Sequence, residues 1–277
     1  MTRVSRAKPV RLGAVDYLNV RPLVYGLDER PDLVSLRFDT PADCARLLNA
    51  GEVDLGMVPS IAYLDRPGDR IVPGVCIGSD GPVASVALFV RKPIREVHTL
   101  AVDTSSRTSI VLTRILCARR FGVAPAFMPH APDLPAMLAH ADGALVIGDA
   151  ALFADARAVG AEKIDLGLVW ADMTGLPFVY AFWAGRPEAA SPDLVGLLQQ
   201  AARAGMAESD AVADAYLPDP VRRAIGRAYL RENLMFRLTD RALDGLRMYY
   251  RESRMLGLVS GDARLEFFDA SAPVRTP

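Results

Sequence analysis

The segment Asp103-Thr104-Ser105-Ser106-Arg107-Thr108-Ser109 carries five hydroxyls in the six residues from 104 to 109, between an apolar run (His98 to Val102) and a helix-like stretch (Ile110 to Phe121). Strand, hydroxyl-rich turn and helix N-terminus in that order aim free backbone N–H groups, hydroxyls and the positive end of a helix dipole at one point. A single Ser or Thr at this place would serve as an N-cap, and five exceed what a cap requires. The segment therefore reads as a socket for a small carboxylate or phosphate, with Thr104, Ser105, Ser106, Thr108 and Ser109 as its binding residues. A second anion-binding group is expected from the Pro59-Ser60 turn, through Ser60, or from the loop Ser79 to Ser85. Arg21 and Arg107 can add charge, although a lone loop arginine more often has a surface or structural role.

Other residues at expected strand ends have chemistry open to two readings. Asn19, in the turn Asp16-Tyr17-Leu18-Asn19-Val20-Arg21-Pro22, can orient a carboxylate or a water by donating and accepting at once, or simply stabilise its own turn. Asp149, in Gly148-Asp149-Ala150, either reaches a cleft or caps the next helix, and Asp103 has the same two roles open. Metal chemistry is not expected: the three histidines (His98, His130, His140) lack ligand spacing, and Cys44, Cys76 and Cys117 stand far apart among apolar neighbours, as buried reduced thiols do. With 32 basic against 33 acidic residues the chain presents no global field for nucleic acid or an anionic membrane. The segment Met1 to Pro9 has no apolar stretch of signal-peptide length, and no run approaches a membrane span, so a cytoplasmic location is expected. No residue pattern specifies an oligomeric state.

The elements that must carry these residues follow an α/β rhythm. Strands are expected at Val10 to Val15, Val34 to Phe38 and Val53 to Val58, with Thr40 capping and Pro41 opening a helix that reaches Asn49 and stops at Gly51. A second series runs from Thr99 to Asp103 through the helix after Ser109, a strand near Ala126 to Met128, a helix at Leu134 to His140 and a buried strand Gly143 to Ile147. Two apolar runs of similar character, SVALFVRKP and VYAFWAGRP, bracket this series. They read as strands crossing between two lobes, with residues 1–92 and 185–277 forming a discontinuous first lobe, residues 93–184 the second, and a cleft between them. Helices at Pro192 to Ala207, Asp219 to Glu232 and Thr239 to Leu256 should pack on the first lobe, and Trp170 and Trp183 read as core or hinge packing.

The segments RLGAVDYLNVRPL, GEVDLGMVPSIAYL, GSDGPVASVALFVRKP, LAVDTSSRTS, IGDAAL and DLGLVWADMTGLPFVYAFWAG resemble, over nearly the whole chain, the menaquinone-biosynthesis family with the type II periplasmic-binding-protein fold. Within it the YLN turn, PVASV and TGLPFV are similar to the chorismate dehydratases of the futalosine route. They differ from the sister dihydroxynaphthoate synthases, which open with a Ser/Cys/Pro-rich turn and use a histidine base. The resemblance implies an α/β, two-lobed fold with two crossing strands and a central cleft. It also implies a hydro-lyase that takes chorismate as its small-molecule substrate and needs no cofactor. It places Asn19 in the active site; Ser85, in PVASV, is expected to hold the substrate beside it. No histidine or glutamate occupies a motif position for a general base, so substrate-assisted elimination is the expected mechanism. A carboxylate-binding protein of the same fold without chemistry is the rival reading.

Overall fold

The computed structural model describes residues 8–261 and 264–270; the first seven residues of the N-terminal segment discussed above lie outside them. Among the described residues eleven strands form two sheets: β1 (Val10–Val15), β2 (Val34–Asp39), β3 (Leu55–Pro59), β4 (Arg70–Ile71), β5 (Ile77–Ser79), β6 (Val86–Val90), β7 (Thr99–Asp103), β8 (Ala126–His130), β9 (Gly143–Ile147), β10 (Glu162–Asp165) and β11 (Phe178–Gly185). The helices are α1 (Pro41–Asn49), α2 (Arg107–Leu116), α3 (Leu134–His140), α4 (Gly148–Leu152), α5 (Leu166–Thr174), α6 (Pro192–Ala207), α7 (Ser209–Tyr216), α8 (Pro220–Ala228) and α9 (Asp240–Met255).

Local cap chemistry starts many of these helices. Thr40, Asp133, Ser191 and Asp219 each accept a hydrogen bond from the backbone N–H three residues on, at 3.2, 3.1, 3.3 and 2.8 Å, and each is followed within two residues by a proline. Proline costs nothing there, because a first-turn N–H has no acceptor within the helix.

The first sheet has the order β2-β1-β3-β11-β4, with β5 also paired to β11; the second has the order β10-β6-β9-β7-β8. β1 runs parallel to β2 and β3, and β7 parallel to β8 and β9, whereas β11 and β6 are antiparallel to their neighbours. The second sheet is drawn from the continuous stretch β6 to β10, whereas the first takes β1 to β5 and then β11, which arrives after that stretch.

Sheet membership displaces the expected lobe edges. β6, expected in the first lobe, pairs with β9 and β10 in the second sheet, and β11, expected in the second, pairs with β3, β4 and β5 in the first. Register explains the shift: both runs are buried along their length and must lie inside a sheet, so the chain crosses in the short turns before them rather than along them. A second expectation is corrected by α9. It packs against β11 in the first lobe, but Tyr249 on it donates to Thr108 O of α2 in the second (2.9 Å), and Arg119 meets Glu252 at 2.9 Å. α9 therefore braces both lobes.

The core follows the apolar pattern. Trp170, Phe178 and Tyr249 pack edge to face, with centroids 5.2 Å (Trp170 to Phe178) and 4.8 Å (Phe178 to Tyr249) apart. Trp183 is also fully buried, in the first sheet. The three cysteines are buried and unpaired, and burial pushes the Cys44 and Cys117 thiols up to about 12.

Candidate functional site

The parallel strands of both sheets end at one cleft, as open α/β sheets require. Its walls are the ends of β1, β3 and β9, the turn after β1, the crossing before β6, the start of β11 and the hydroxyl turn leading into α2; it encloses about 640 Å³ of space, open solvent included.

The hydroxyl turn lines one wall from Ser105 to Ser109, as the sequence implied. Its members do different work. Ser106 is the N-cap of α2 and accepts from Ser109 N at 3.3 Å. Thr108 is locked inward: its Oγ1 accepts from Ile61 N (3.4 Å) and donates to Tyr180 O (3.3 Å), joining the lobes. Ser105 Oγ is buried against the Tyr17 phenol, whose pKa it works to lower, and makes no other side-chain contact of hydrogen-bond geometry among the described residues. Ser109 faces the cleft, and Thr104 is exposed to solvent and does not line it. The first-turn N–H groups of α2 have no acceptor within the helix, so the wall carries positive potential. Arg107 adds a cation at the rim, paired with Asp65 across the mouth at 2.6 Å.

Opposite stand Asn19 and Ser85. Asn19 lies in the 3-10 turn Leu18–Val24, which Pro22 holds to a single tight stretch. Ser85 is 1% exposed and sits just before β6 in an unusual loop. Ala84 has φ +61°, the left-handed region that side chains disfavour, and Ser85 N donates to Val83 O at 2.7 Å, closing a γ-turn around it. Asp165 holds the turn by accepting from Val83 N (3.0 Å) and Ala84 N (2.6 Å) while also capping α5 through Leu168 N (3.0 Å).

Two expected site residues turn elsewhere. Ser60 is fully buried, its Oγ donating to Val179 O (2.8 Å) and its carbonyl accepting from Tyr250 (2.6 Å), because the chain after β3 tucks under β11 instead of lining the cleft. Asp149 neither lines the cleft nor caps α4. Its carboxylate accepts from Leu18 N (3.2 Å) and from the Tyr216 hydroxyl (2.7 Å), fastening the second lobe to the first, and burial raises its pKa above the ordinary carboxylate range. Its neighbour Gly148 does line the cleft, at φ +62°, and a Cβ there would stand 3.0 Å from the Tyr17 ring. Arg21 is also structural: it pairs with Asp16 and lies over the rings of Phe38 and Tyr216 at 4.0 and 4.8 Å.

Tyr17 and Tyr180 line the cleft without having been singled out as site residues. Tyr17 was within view, next to the Asn19 turn, whereas Tyr180 is hidden in an apolar strand. Burial raises both phenols, so both remain neutral donors. Among the described residues no carboxylate or imidazole lines the cleft, and no helix is long and apolar enough to cross a membrane. The cleft thus combines a largely apolar lining with a few neutral donors and one helix N-terminus.

Fold and cleft together define a two-lobed protein of the periplasmic-binding-protein class. Solved structures of that fold superpose over most of the chain: a protein of Archaeoglobus fulgidus (TM-score 0.71, 15% identical, 91% of this chain and 99% of that one). An alkanesulfonate-binding protein of Xanthomonas axonopodis pv. citri does likewise (TM-score 0.68, 14% identical, 93% and 96%). In sequence, residues 10–254 match the family described as menaquinone biosynthesis, and a protein of Thermus thermophilus named chorismate dehydratase is 33% identical over 225 residues, covering 75% of this chain and 82% of that protein. The chain belongs to the menaquinone-biosynthesis family.

Proposed function

We propose that this protein is a hydro-lyase that converts chorismate to 3-[(1-carboxyvinyl)oxy]benzoate and water in menaquinone biosynthesis. The observation that carries the reading is the composition of the cleft wall: donors suited to carboxylates on two sides, and no side chain fit to act as a base near neutral pH. Chorismate brings its own base. Its enolpyruvyl carboxylate takes the proton from the ring carbon bearing the ether, the electron pair of that C–H bond becomes a ring double bond, and the adjacent C–O bond breaks. The departing hydroxide collects a proton as water, and the product gains aromaticity.

The protein's part is position. Asn19 and Ser85 hold the enolpyruvyl carboxylate in line with the ring proton, and the turn from Ser105 to Ser109 with the α2 N-terminus holds the ring carboxylate. Fixing the acceptor against the C–H bond replaces a search through conformers, a gain that reaches several orders of magnitude when the geometry is tight. The name of the Thermus relative and the family match support this reading.

The test is a cofactor-free assay with chorismate, following loss of the cyclohexadiene absorbance and weighing the product. A product lighter by one water, aromatic and still carrying its enolpyruvyl ether, is expected. Asn19→Ala should lower kcat roughly 100-fold or more, and a near-wild-type rate would remove Asn19 from the mechanism. Chorismate that raises the melting temperature but is not consumed would mark a binding protein instead.

A further inference from the structure

Ser85 is held from behind by a residue outside the cleft wall. Tyr229 is 2% exposed, and its hydroxyl lies 2.7 Å from Ser85 Oγ. Burial raises the phenol, so it stays neutral. Tyr229 opens the π-helical turn Tyr229–Asn233, where the backbone of α8 widens before leaving the helix. The same segment grips the loop before β6 twice more: Asn233 Nδ2 donates to Pro82 O at 3.1 Å, and Gly78 and Met235 exchange two backbone hydrogen bonds of 2.8 Å.

We propose that Tyr229 is a positioning residue of the dehydration, donating to Ser85 Oγ so that the serine hydrogen points into the cleft. The inference rests on the chorismate reading above. A phenol has a single hydrogen. Given to Ser85, it leaves the serine hydrogen free for the ligand. The reverse polarity would spend the serine hydrogen on Tyr229 and leave Ser85 with no donor for a carboxylate.

The experiment is steady-state turnover of chorismate by the wild type, Tyr229→Phe, Ser85→Ala and the double variant, with melting temperatures for each. Tyr229→Phe is expected to lower kcat about 10- to 100-fold with KM within about threefold. The double variant should be no slower than Ser85→Ala alone, within about threefold, since Tyr229 acts through that serine. Wild-type kcat in Tyr229→Phe would overturn the inference, and so would losses that multiply in the double variant, the mark of a general structural role. Should Tyr229→Phe fail to fold, Asn233→Ala loosens the same turn while keeping the phenol. A kcat drop of several-fold there, absent in the Ser85→Ala background, supports the inference, and an unchanged kcat overturns it. Wild-type protein that leaves chorismate untouched overturns the chorismate reading itself, a result separate from any of these.

Discussion

The two places where the chain passes between lobes are built in opposite ways. The first, before β6, is polar and strained: Ala84 at φ +61° is clamped by the Asp165 carboxylate, and Pro82 and Ser85 are held by Asn233 and Tyr229. The second, before β11, is apolar and relaxed. Gly175 supplies the left-handed residue at φ +69°, the Trp170 indole donates to Pro177 O at 3.3 Å, and Phe178 and Tyr249 seal it edge to face. Burial of rings is worth much but directs little, whereas hydrogen bonds to fixed backbone atoms are individually modest but directional. The residue proposed for chemistry sits on the polar crossing, and the stability of the lobe junction resides in the aromatic one.

Substitutions can break that contrast. Trp170→Ala should have the largest effect, costing about 3–5 kcal/mol in denaturant unfolding through the cavity it leaves, while the surviving folded fraction keeps its KM. Asp165→Ala removes three backbone partners and should cost about 1–3 kcal/mol, with a fall in kcat out of proportion to stability because Ser85 loses its anchor. If Asp165→Ala proved as active as the wild type, the division of labour between crossings would fail. Ala84→Gly relieves the left-handed strain and should raise stability by about 0.5–1 kcal/mol while leaving kcat within about threefold.

The smallest effect concerns the interlobe aspartate. Burial raises Asp149 in the folded chain, so folding takes up a proton there, and the stabilisation is complete below the unfolded value and fades as pH rises through the folded one. Asp149→Asn abolishes that titration. The melting temperature of the variant relative to the wild type should therefore climb as pH rises above the ordinary carboxylate value. Asp142 slopes the other way: held down to about 2 by Lys92 and by the backbone N–H groups of His98 and Thr99, it contributes above the ordinary carboxylate value and fades in acid.

What the sequence disclosed was mostly what is decided locally. Thr40-Pro41, Ser191-Pro192 and Asp219-Pro220 announce helix starts because a cap and the backbone N–H that donates to it lie three residues apart. β10 and α5, from Glu162 to Thr174, were harder to read: Asp165 caps α5 at the same spacing but no proline follows it, and a short, half-buried edge strand has little periodicity. The hydroxyl turn was visible as a group, yet the distinction between Ser105, set against the Tyr17 phenol, and Thr108, spent on tying the lobes, depends on which strand packs beneath each. Ser60 and Asp149 misled for the same reason: both follow strands, as site residues do, but their partners come from β11 and α7. Tyr229 could not be read at all, because nothing near it in sequence points to Ser85.

That separation bears on how the molecule is made. Asn19 leaves the ribosome well before Tyr229, and α9, which clasps Thr108 and Ser60 through Tyr249 and Tyr250, follows later still. The second sheet can assemble as soon as its strands are synthesised. The first sheet must wait for β11 to complete it, and the site must wait for the C-terminal helices to reach back to a turn made at the outset. Until the segment carrying Tyr229 has been made, Ser85 lacks the phenol that holds it, so the site is completed only after the strands that frame it.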